Sequence, residues 1–234
     1  MRGADGNDGA HLATVRVTSS PRALDPKRWA ALCRRLGAEQ DALPIFTRLE
    51  AAYAEPARAY HTAEHISDCL AQLDRSHSRV ARPDEVEAAI WFHDAVYHPG
   101  REDNEGRSAD LARIALAESS VSPDSASRIA ELVLITRHER VSEEPHAALL
   151  CDVDLSILGR SPDAFDRFER QIRQEYARVP DSVYRSTRSA ILRRFLTRPC
   201  IYQTAYFRNR YEAAARANLA RLIDQLELKA PGTV

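Results

Sequence analysis

The sequence predicts an all-α fold, and two kinds of observation support this. At several points a helix-capping residue is followed by proline, and each pair precedes a run with apolar residues every three or four positions. The chain also shows no convincing strand pair, no glycine-rich nucleotide-binding motif and no internal repeat. These patterns are typical of a bundle of amphipathic helices.

The first four helices are predicted from proline and glycine signals and from apolar spacing. Asp25-Pro26 is typical of an N-cap followed by the first helical residue, and Gly37 is typical of a helix end. The other three follow in chain order: one from near Glu39 to Tyr53 with apolar residues three and four apart, one that begins near His61 after the break at Glu55-Pro56, and one from Pro83-Asp84 into His93-Asp94.

Six further helices are predicted on the same grounds after a loop at residues 97–101, which contains Pro99-Gly100. In chain order they run from Asp103 to near Ser119, from Ser122-Pro123 to His138, from Pro145 to Leu158, from Ser161-Pro162 to Tyr176, and over two long amphipathic segments at about 182–196 and 200–228.

Length and composition indicate one large domain. The chain has 234 residues, of which 44% are hydrophobic and 29% charged, so it can bury a sizeable core. Residues 1–22 lack periodicity and are expected to form a flexible arm, residues 23–228 a single helical domain, and residues 229–234 a tail.

Charge and cysteine usage indicate the compartment and the partners. The formal net charge is -1, so we expect neither a nucleic-acid nor a membrane partner. The four cysteines are scattered, and the N-terminus has no apolar segment typical of a secretory signal. We therefore expect a cytoplasmic protein with reduced thiols. The aromatic residues near 202–211 are expected to be core contacts or contacts of a homodimer.

Three distant segments place histidine or aspartate inside apolar runs. They are Tyr60-His61-Thr62-Ala63-Glu64-His65, Trp91-Phe92-His93-Asp94-Ala95-Val96-Tyr97 and Leu149-Leu150-Cys151-Asp152-Val153-Asp154-Leu155. Burying such groups is costly unless something pairs with them, and a metal ion is the strongest available partner. The sequence therefore predicts a metal-dependent hydrolase.

Spacing constrains which of these residues act together. His61 and His65 are four apart, so on a helix they share one face. His93 and Asp94 are adjacent, and a cation over the edge between them can reach both. Asp152 and Asp154 cannot share one helical face, so one of them is expected to face inward and the other to cap a helix or contact solvent.

These motifs resemble those of the HD superfamily of metal-dependent phosphohydrolases, which have a histidine, a His-Asp pair and a distant aspartate on an all-α fold. Tyr60 to His65 is similar to the Tyr-His-Asn-x-x-His segment of class I cyclic nucleotide phosphodiesterases, and Asp154-Leu155-Ser156 is similar to their closing Asp-Leu-Ser. The whole set resembles more closely still a bacterial group of predicted HD-superfamily hydrolases. The resemblance implies an HD-domain helical bundle with extra C-terminal helices.

The resemblance also implies roles for individual residues. His65, His93, Asp94 and Asp154 would hold one divalent ion (Mn, Mg, Co, Ni, Fe or Zn), and Asp154 is favoured over Asp152. His61 would be the proton donor. In the mechanism we expect for hydrolysis, Asp94 or a residue such as Glu64 would orient the attacking water. The phosphodiesterase run His-Asp-x-Asp-His-Pro-Gly has one residue fewer than His93 to Gly100 here, so the resemblance does not extend to a second metal, for which His98 and His138 are the candidates.

The leading hypothesis is therefore hydrolysis of a small phosphomonoester or phosphodiester, nucleotide-like in kind, by metal-activated water. Arginines next to the motifs are the candidates for phosphate contacts: Arg58, Arg101, Arg107 and Arg137. One alternative is a di-iron oxygenase on the same fold, which needs extra histidines such as His98, His138 or His146. Another is a nucleotide-binding or partner-binding scaffold without catalysis. The arginine-rich segment from Arg188 to Arg221 is interpreted as a solvated helix face.

Overall fold

The computed structural model describes residues 23–76 and 80–228, and that part of the chain is all-α, as predicted. It contains ten α-helices, one short 3₁₀ helix and no strand within the described residues. The predicted N-terminal arm and C-terminal tail lie outside them. In chain order the elements are α1 (Pro26–Arg35), α2 (Leu43–Tyr53), α3 (Ala63–Ser76), α4 (Pro83–Phe92), α5 (Asn104–Glu118), α6 (Pro123–Ile135), α7 (Pro145–Asp154), the 3₁₀ helix (Leu155–Gly159), α8 (Pro162–Glu175), α9 (Asp181–Leu196) and α10 (Ala205–Leu228).

The capping signals begin helices where the sequence predicts them. The Asp25 carboxylate accepts the N–H of Lys27 at 2.9 Å, and the Ser122 side chain caps α6 by accepting the N–H of Ser125. Proline lies in the first turn of α1, α2, α4, α6, α7 and α8. It is tolerated there because the first N–H groups of a helix have no intrahelical acceptor.

Several predicted helix bounds are wrong, and most of the differences fall at the candidate site. α3 begins at Ala63, so His61 lies in the turn before the helix and does not share a helical face with His65. α4 ends at Phe92, which places His93-Asp94 in the following turn. α6 ends at Ile135 because His138 adopts a left-handed backbone conformation, with φ of +54°.

Two other predicted bounds also differ. α2 begins at Leu43 rather than near Glu39, since Pro44 lacks an N–H and marks the first turn. The α7 segment changes at Asp154 into the 3₁₀ helix and does not run on as one helix to Leu158.

The core is built around α4. This helix contacts α1, α3, α5, α6 and α7, and every residue from Glu85 to Phe92 is buried. Trp91 packs edge-on against Trp29, and its carbonyl accepts the Tyr53 hydroxyl at 2.9 Å. The end of α4, and therefore His93-Asp94, lies inside the bundle.

α10 closes the bundle against α9 and the 3₁₀ helix. A Cβ on Gly159 would lie 2.5 Å from Tyr211 Cβ and 2.7 Å from the Tyr211 carbonyl oxygen, so only glycine allows this approach. Tyr202, Phe207 and Tyr211 are buried here, which confirms that they are core residues. Although α10 spans 24 residues, none of the described helices combines the length and apolarity needed to cross a bilayer.

Candidate metal centre

Side chains from three separate helix ends converge on one point. His65 lies in the first turns of α3, His93 directly after α4, and Asp154 at the end of α7. Their ligand atoms lie within 4.8 Å of one another. The two Nε2 atoms of His65 and His93 are 3.2 Å apart, and Asp154 Oδ1 is 3.2 Å from His65 Nε2 and 3.6 Å from His93 Nε2.

Asp94 adds a second carboxylate beside this cluster. Its Oδ2 lies 2.9 Å from His93 Nε2 and 3.5 Å from His65 Nε2. Burial raises the pKa of Asp94 and of Asp154, but the surrounding histidines outweigh this and hold the pKa of both carboxyls well below its ordinary value. Both groups are therefore anionic at neutral pH.

The donor set fits a cation. His93 Nδ1 lies 2.9 Å from the carbonyl oxygen of Ile90, which can only accept, so Nδ1 carries a proton. In a neutral ring the lone pair is then on Nε2, and it faces both carboxylates and His65 Nε2. Such an arrangement of acceptors is repulsive unless a proton or a cation lies among them. Burial lowers the pKa of His93, and the two carboxylates raise it to a net value well above the ordinary one. Two imidazoles with carboxylate oxygens form an N/O set that suits a divalent ion such as Mn, Fe, Co, Ni or Zn.

His138 binds the far oxygen of Asp154. Its Nε2 lies 2.7 Å from Asp154 Oδ2, while its Nδ1 is buried without a partner among the described residues. Burial lowers the pKa of His138, but the bond to Asp154 raises it to about 10. A ring nitrogen that donates to a carboxylate does not bind a metal at the same time, so in this arrangement His138 orients Asp154.

His61 is oriented by a carboxylate that the sequence interpretation missed. Glu175, the last residue of α8, places Oε2 2.7 Å from His61 Nδ1 and 3.0 Å from the hydroxyl of Tyr97, which donates to it. Its Oε1 accepts the N–H groups of Ala59, Tyr60 and His61 at 2.8, 2.8 and 3.1 Å. Burial raises the pKa of Glu175, but these bonds lower it to about 2. The anionic Glu175 therefore accepts the Nδ1 proton and leaves His61 Nε2 available.

A cavity of about 380 Å³ opens at this cluster. Its lining includes His61, His93, Asp94, His138 and Asp154. It also includes apolar side chains from the 3₁₀ helix, α8 and α9, among them Ile157, Phe168, Ile172, Ile191 and Phe195. A larger cavity of about 520 Å³ beside α7 and α10 has no histidine or aspartate among its described lining residues. The smaller cavity is therefore the candidate site.

Two of the four arginines predicted to contact phosphate lie at the cavity, and the other two lie away from it. Arg101 and Arg137 line the cavity. Arg58 does not: its buried guanidinium donates to the carbonyls of His61, Asp94 and Ala95, and so ties the turn before α3 to the turn after α4. Arg107 is exposed outside the cavity.

Three further candidate residues also lie away from the cluster. Glu64 is exposed and lines a different cavity from the one at the cluster, so it is not placed to orient water there. His98 is exposed and does not line the cavity, which removes it as a candidate ligand. His146 accepts the N–H of Arg82 at 3.0 Å and belongs to the α7 cap, away from the cluster.

The choice between the two aspartates of α7 is resolved by their partners. Asp154 faces the histidines, whereas Asp152 is buried and accepts the N–H groups of Gln203 and Thr204, both at 2.7 Å. Burial raises the pKa of Asp152 to about 6. Asp152 is thus buried as well and binds the backbone just before α10, and only Asp154 faces the histidines.

The sequence interpretation also missed part of the cavity wall. Arg188, Arg194 and Arg198 line the cavity, although their segment was predicted to be a solvated face. No short motif identifies them or Glu175, because they lie far along the chain from the histidines. Apolar spacing in α8 and α9 marks the buried face but not which charged residue borders it.

Comparison with protein-family models, with curated proteins and with solved structures finds no match for this chain. The similarity to HD-superfamily phosphohydrolases therefore stays a resemblance of motifs.

Proposed function

We propose that this protein is a metal-dependent phosphohydrolase of the HD type that acts on a small phosphomonoester or phosphodiester. The observation that carries the proposal is the convergence of His65, His93 and Asp154 beside Asp94 at the wall of a cavity lined with arginines. A bundle stabilised only by apolar packing gains nothing from two carboxylates held next to two buried imidazoles. Cationic side chains around such a cluster suit an anionic substrate.

His65, His93, Asp94 and Asp154 would hold the ion, and His138 would keep Asp154 turned toward it. When bound, a divalent ion supplies Lewis acidity and lowers the pKa of water. Asp94 lies at the cavity wall, where its carboxylate can accept a hydrogen bond from water approaching phosphorus. Arg101 and Arg137 reach the same space and can contact phosphoryl oxygens.

His61 is the candidate general acid. It lines the cavity, and Glu175 holds its Nδ1 while the ring stacks on Tyr97 with centroids 4.0 Å apart. A proton on Nε2 can therefore be delivered to the leaving oxygen without the ring having to reorient. Protonation by a positioned side chain contributes about 10² to 10⁴-fold in rate.

The test is hydrolysis of p-nitrophenyl phosphate and bis(p-nitrophenyl) phosphate by the full chain loaded separately with each candidate metal. We expect turnover with wild type and a loss of both bound metal and turnover in Asp154→Asn. His98→Ala is the matched control, since this exposed histidine lies outside the cavity, and it should keep both properties. Full metal content and full turnover in Asp154→Asn would contradict the proposal.

A di-iron oxygenase is the second candidate, and His138 is the observation that favours it. This histidine contacts the Asp154 oxygen that does not face His65 and His93, so it would be a further nitrogen ligand beside the cluster for a second ion. Metal analysis after aerobic purification separates the two candidates. Two irons per chain that fall to one in His138→Ala favour oxidation, whereas one ion per chain in both proteins favours hydrolysis.

A further inference from the structure

The arginines at the end of α9 differ from the other described arginines of the cavity. Three of the five are each neutralised by a carboxylate, in the pairs Arg101–Asp103, Arg137–Glu105 and Arg188–Glu169. Arg194 and Arg198 have no carboxylate partner. The Arg194 guanidinium makes no hydrogen bond or ion pair with another described residue, and Arg198 donates to the carbonyl of His138.

These two arginines lie close to each other. Arg194 lies in the last turn of α9 and Arg198 lies two residues after the helix ends at Leu196, and both line the same cavity. Burial lowers the pKa of Arg198, and the charge of Arg194 lowers it further. Arg198 is held in place by Phe195, whose ring centroid lies 4.5 Å from the guanidinium carbon. Arg194 is exposed and Arg198 is half-buried, and two like charges on one cavity without a carboxylate partner favour an anion beside them.

The pair borders the same cavity as the metal cluster, and His138 contacts both groups. Its Nε2 lies 2.7 Å from Asp154 Oδ2, its carbonyl accepts the Arg198 guanidinium, and its ring centroid is 6.3 Å from that of Phe195. A phosphate at the cluster and an anion at the arginines would therefore occupy two distinct ends of the cavity. Its volume of about 380 Å³ is enough for a small ligand that spans both ends.

The charges of the cavity lead to the same conclusion. The anionic Asp94 and Asp154 would balance one divalent ion, and the three arginine–carboxylate pairs are neutral. Among the arginines of the cavity, the charges left without a carboxylate are those of Arg194 and Arg198, which a single phosphate at the cluster does not meet.

We infer that Arg194 and Arg198 form a second anion subsite, and that the substrate carries a second phosphate or comparable anionic group away from the scissile phosphate. The position of the scissile phosphate rests on the proposed function. Arg194 is a specificity-determining residue here, because it contacts the part of the substrate that does not react.

The test compares the affinities of two probes that cannot be hydrolysed, since their phosphorus is bonded to carbon. Pentylphosphonate has one anionic end and pentane-1,5-bisphosphonate has two. Each is titrated calorimetrically into the full chain loaded with Mn²⁺. We expect the bisphosphonate to bind wild type about tenfold more tightly, because the second end makes charge-assisted bonds that the first probe lacks.

Arg194→Ala should reduce this ratio to about twofold or less, since one of the two charges of the subsite is gone. Arg193→Ala is the matched control: Arg193 lies on the same helix, is exposed and pairs with Glu227 at 2.7 Å, so the ratio should not change. Equal affinities of wild type for the two probes would overturn the inference. An equal weakening of both probes by Arg194→Ala would also overturn it, because Arg194 would then contact the phosphate at the cluster.

Hydrolysis of p-nitrophenyl phosphate, measured on the same preparations, separates this inference from the proposed function. Turnover without an affinity ratio leaves the phosphohydrolase in place and removes the second subsite. An affinity ratio that Arg194→Ala abolishes, without turnover of any phosphoester, leaves a two-anion binding site and removes the hydrolase.

Discussion

Glu175→Gln is the substitution whose effect the structure determines most sharply. The carboxylate accepts five hydrogen bonds, from three backbone N–H groups at 59–61, from His61 Nδ1 and from the Tyr97 hydroxyl, and its side chain is fully buried. Glutamine keeps one acceptor oxygen for the N–H groups, but its amide nitrogen would face the His61 proton and the Tyr97 hydroxyl. Removing one partner of a buried charged pair costs about 3–5 kcal/mol, and the retained acceptor places this case near about 3 kcal/mol.

The assay is urea unfolding at neutral pH, where a loss of this size lowers the midpoint by about 1 M. Glu227→Gln is the control, because Glu227 pairs with Arg193 on the surface with both side chains about half exposed, and no measurable change is expected. A Glu175→Gln midpoint equal to that of wild type would refute the reasoning, since five bonds to a buried carboxylate would then contribute nothing.

The same variant carries a catalytic consequence that a purely structural role would not produce. The p-nitrophenolate ion leaves without being protonated, whereas an alkoxide requires a proton. If Glu175 orients His61 as the acid, Glu175→Gln should slow hydrolysis of an alkyl phosphate about 10²-fold more than that of p-nitrophenyl phosphate. Equal slowing of both substrates would reduce Glu175 to a structural residue.

Three further predictions concern stability and reactivity. The pKa of Glu175 is about 2 in the folded protein, below its ordinary 4.5. The carboxylate therefore stabilises the fold fully above pH 4.5, and this stabilisation is lost as pH falls through about 2. The urea midpoints of wild type and Glu175→Gln should converge over that interval. Gly159→Ala should lower the free energy of unfolding by about 1–3 kcal/mol in a thermal denaturation, since its Cβ would lie 2.5 Å from a side-chain carbon of α10. Gly106→Ala is its control, because the nearest atom to that Cβ is a guanidinium nitrogen at 3.4 Å, and no loss is expected. In the native protein a thiol reagent should modify Cys200 alone among the four cysteines: the other three are buried, and burial raises the pKa of Cys33 to about 11. Fast labelling of a second cysteine would contradict this last prediction.

Much of the fold follows from local patterns. Proline after a capping residue determines where α1, α6 and α8 begin, because a proline is compatible with the first turn and with no later one. Helix ends are less predictable from the sequence. The apolar run of the α4 segment continues past Phe92, but the backbone turns there, and no local signal distinguishes the last helical residue from the first residue of the turn.

The candidate site was likewise only partly predictable from the sequence. Histidine and aspartate inside apolar runs stand out locally, since burying them without a partner is unfavourable, and the structure brings His65, His93 and Asp154 together. His61 was placed on the wrong kind of element, and Glu64, His98, Arg58 and Arg107 were chosen because they are neighbours in sequence. Adjacency along the chain does not determine the direction in which a side chain points.

The sequence by itself determined the helical class, the starts of the helices marked by a capping residue before proline, and the identity of the residues that are too polar for their apolar surroundings. The tertiary structure alone decided which of them meet, and that Glu175 and the arginines in and just after α9 complete the cavity. Asp154 was favoured over Asp152 by the motif resemblance, and the structure agrees, since Asp154 faces the histidines. The physical reason is the distance along the chain over which each interaction acts. Capping and amphipathic spacing act within a few residues, whereas the approach of α3, α4, α7, α8 and α9 depends on how their buried faces pack together, which no single segment encodes.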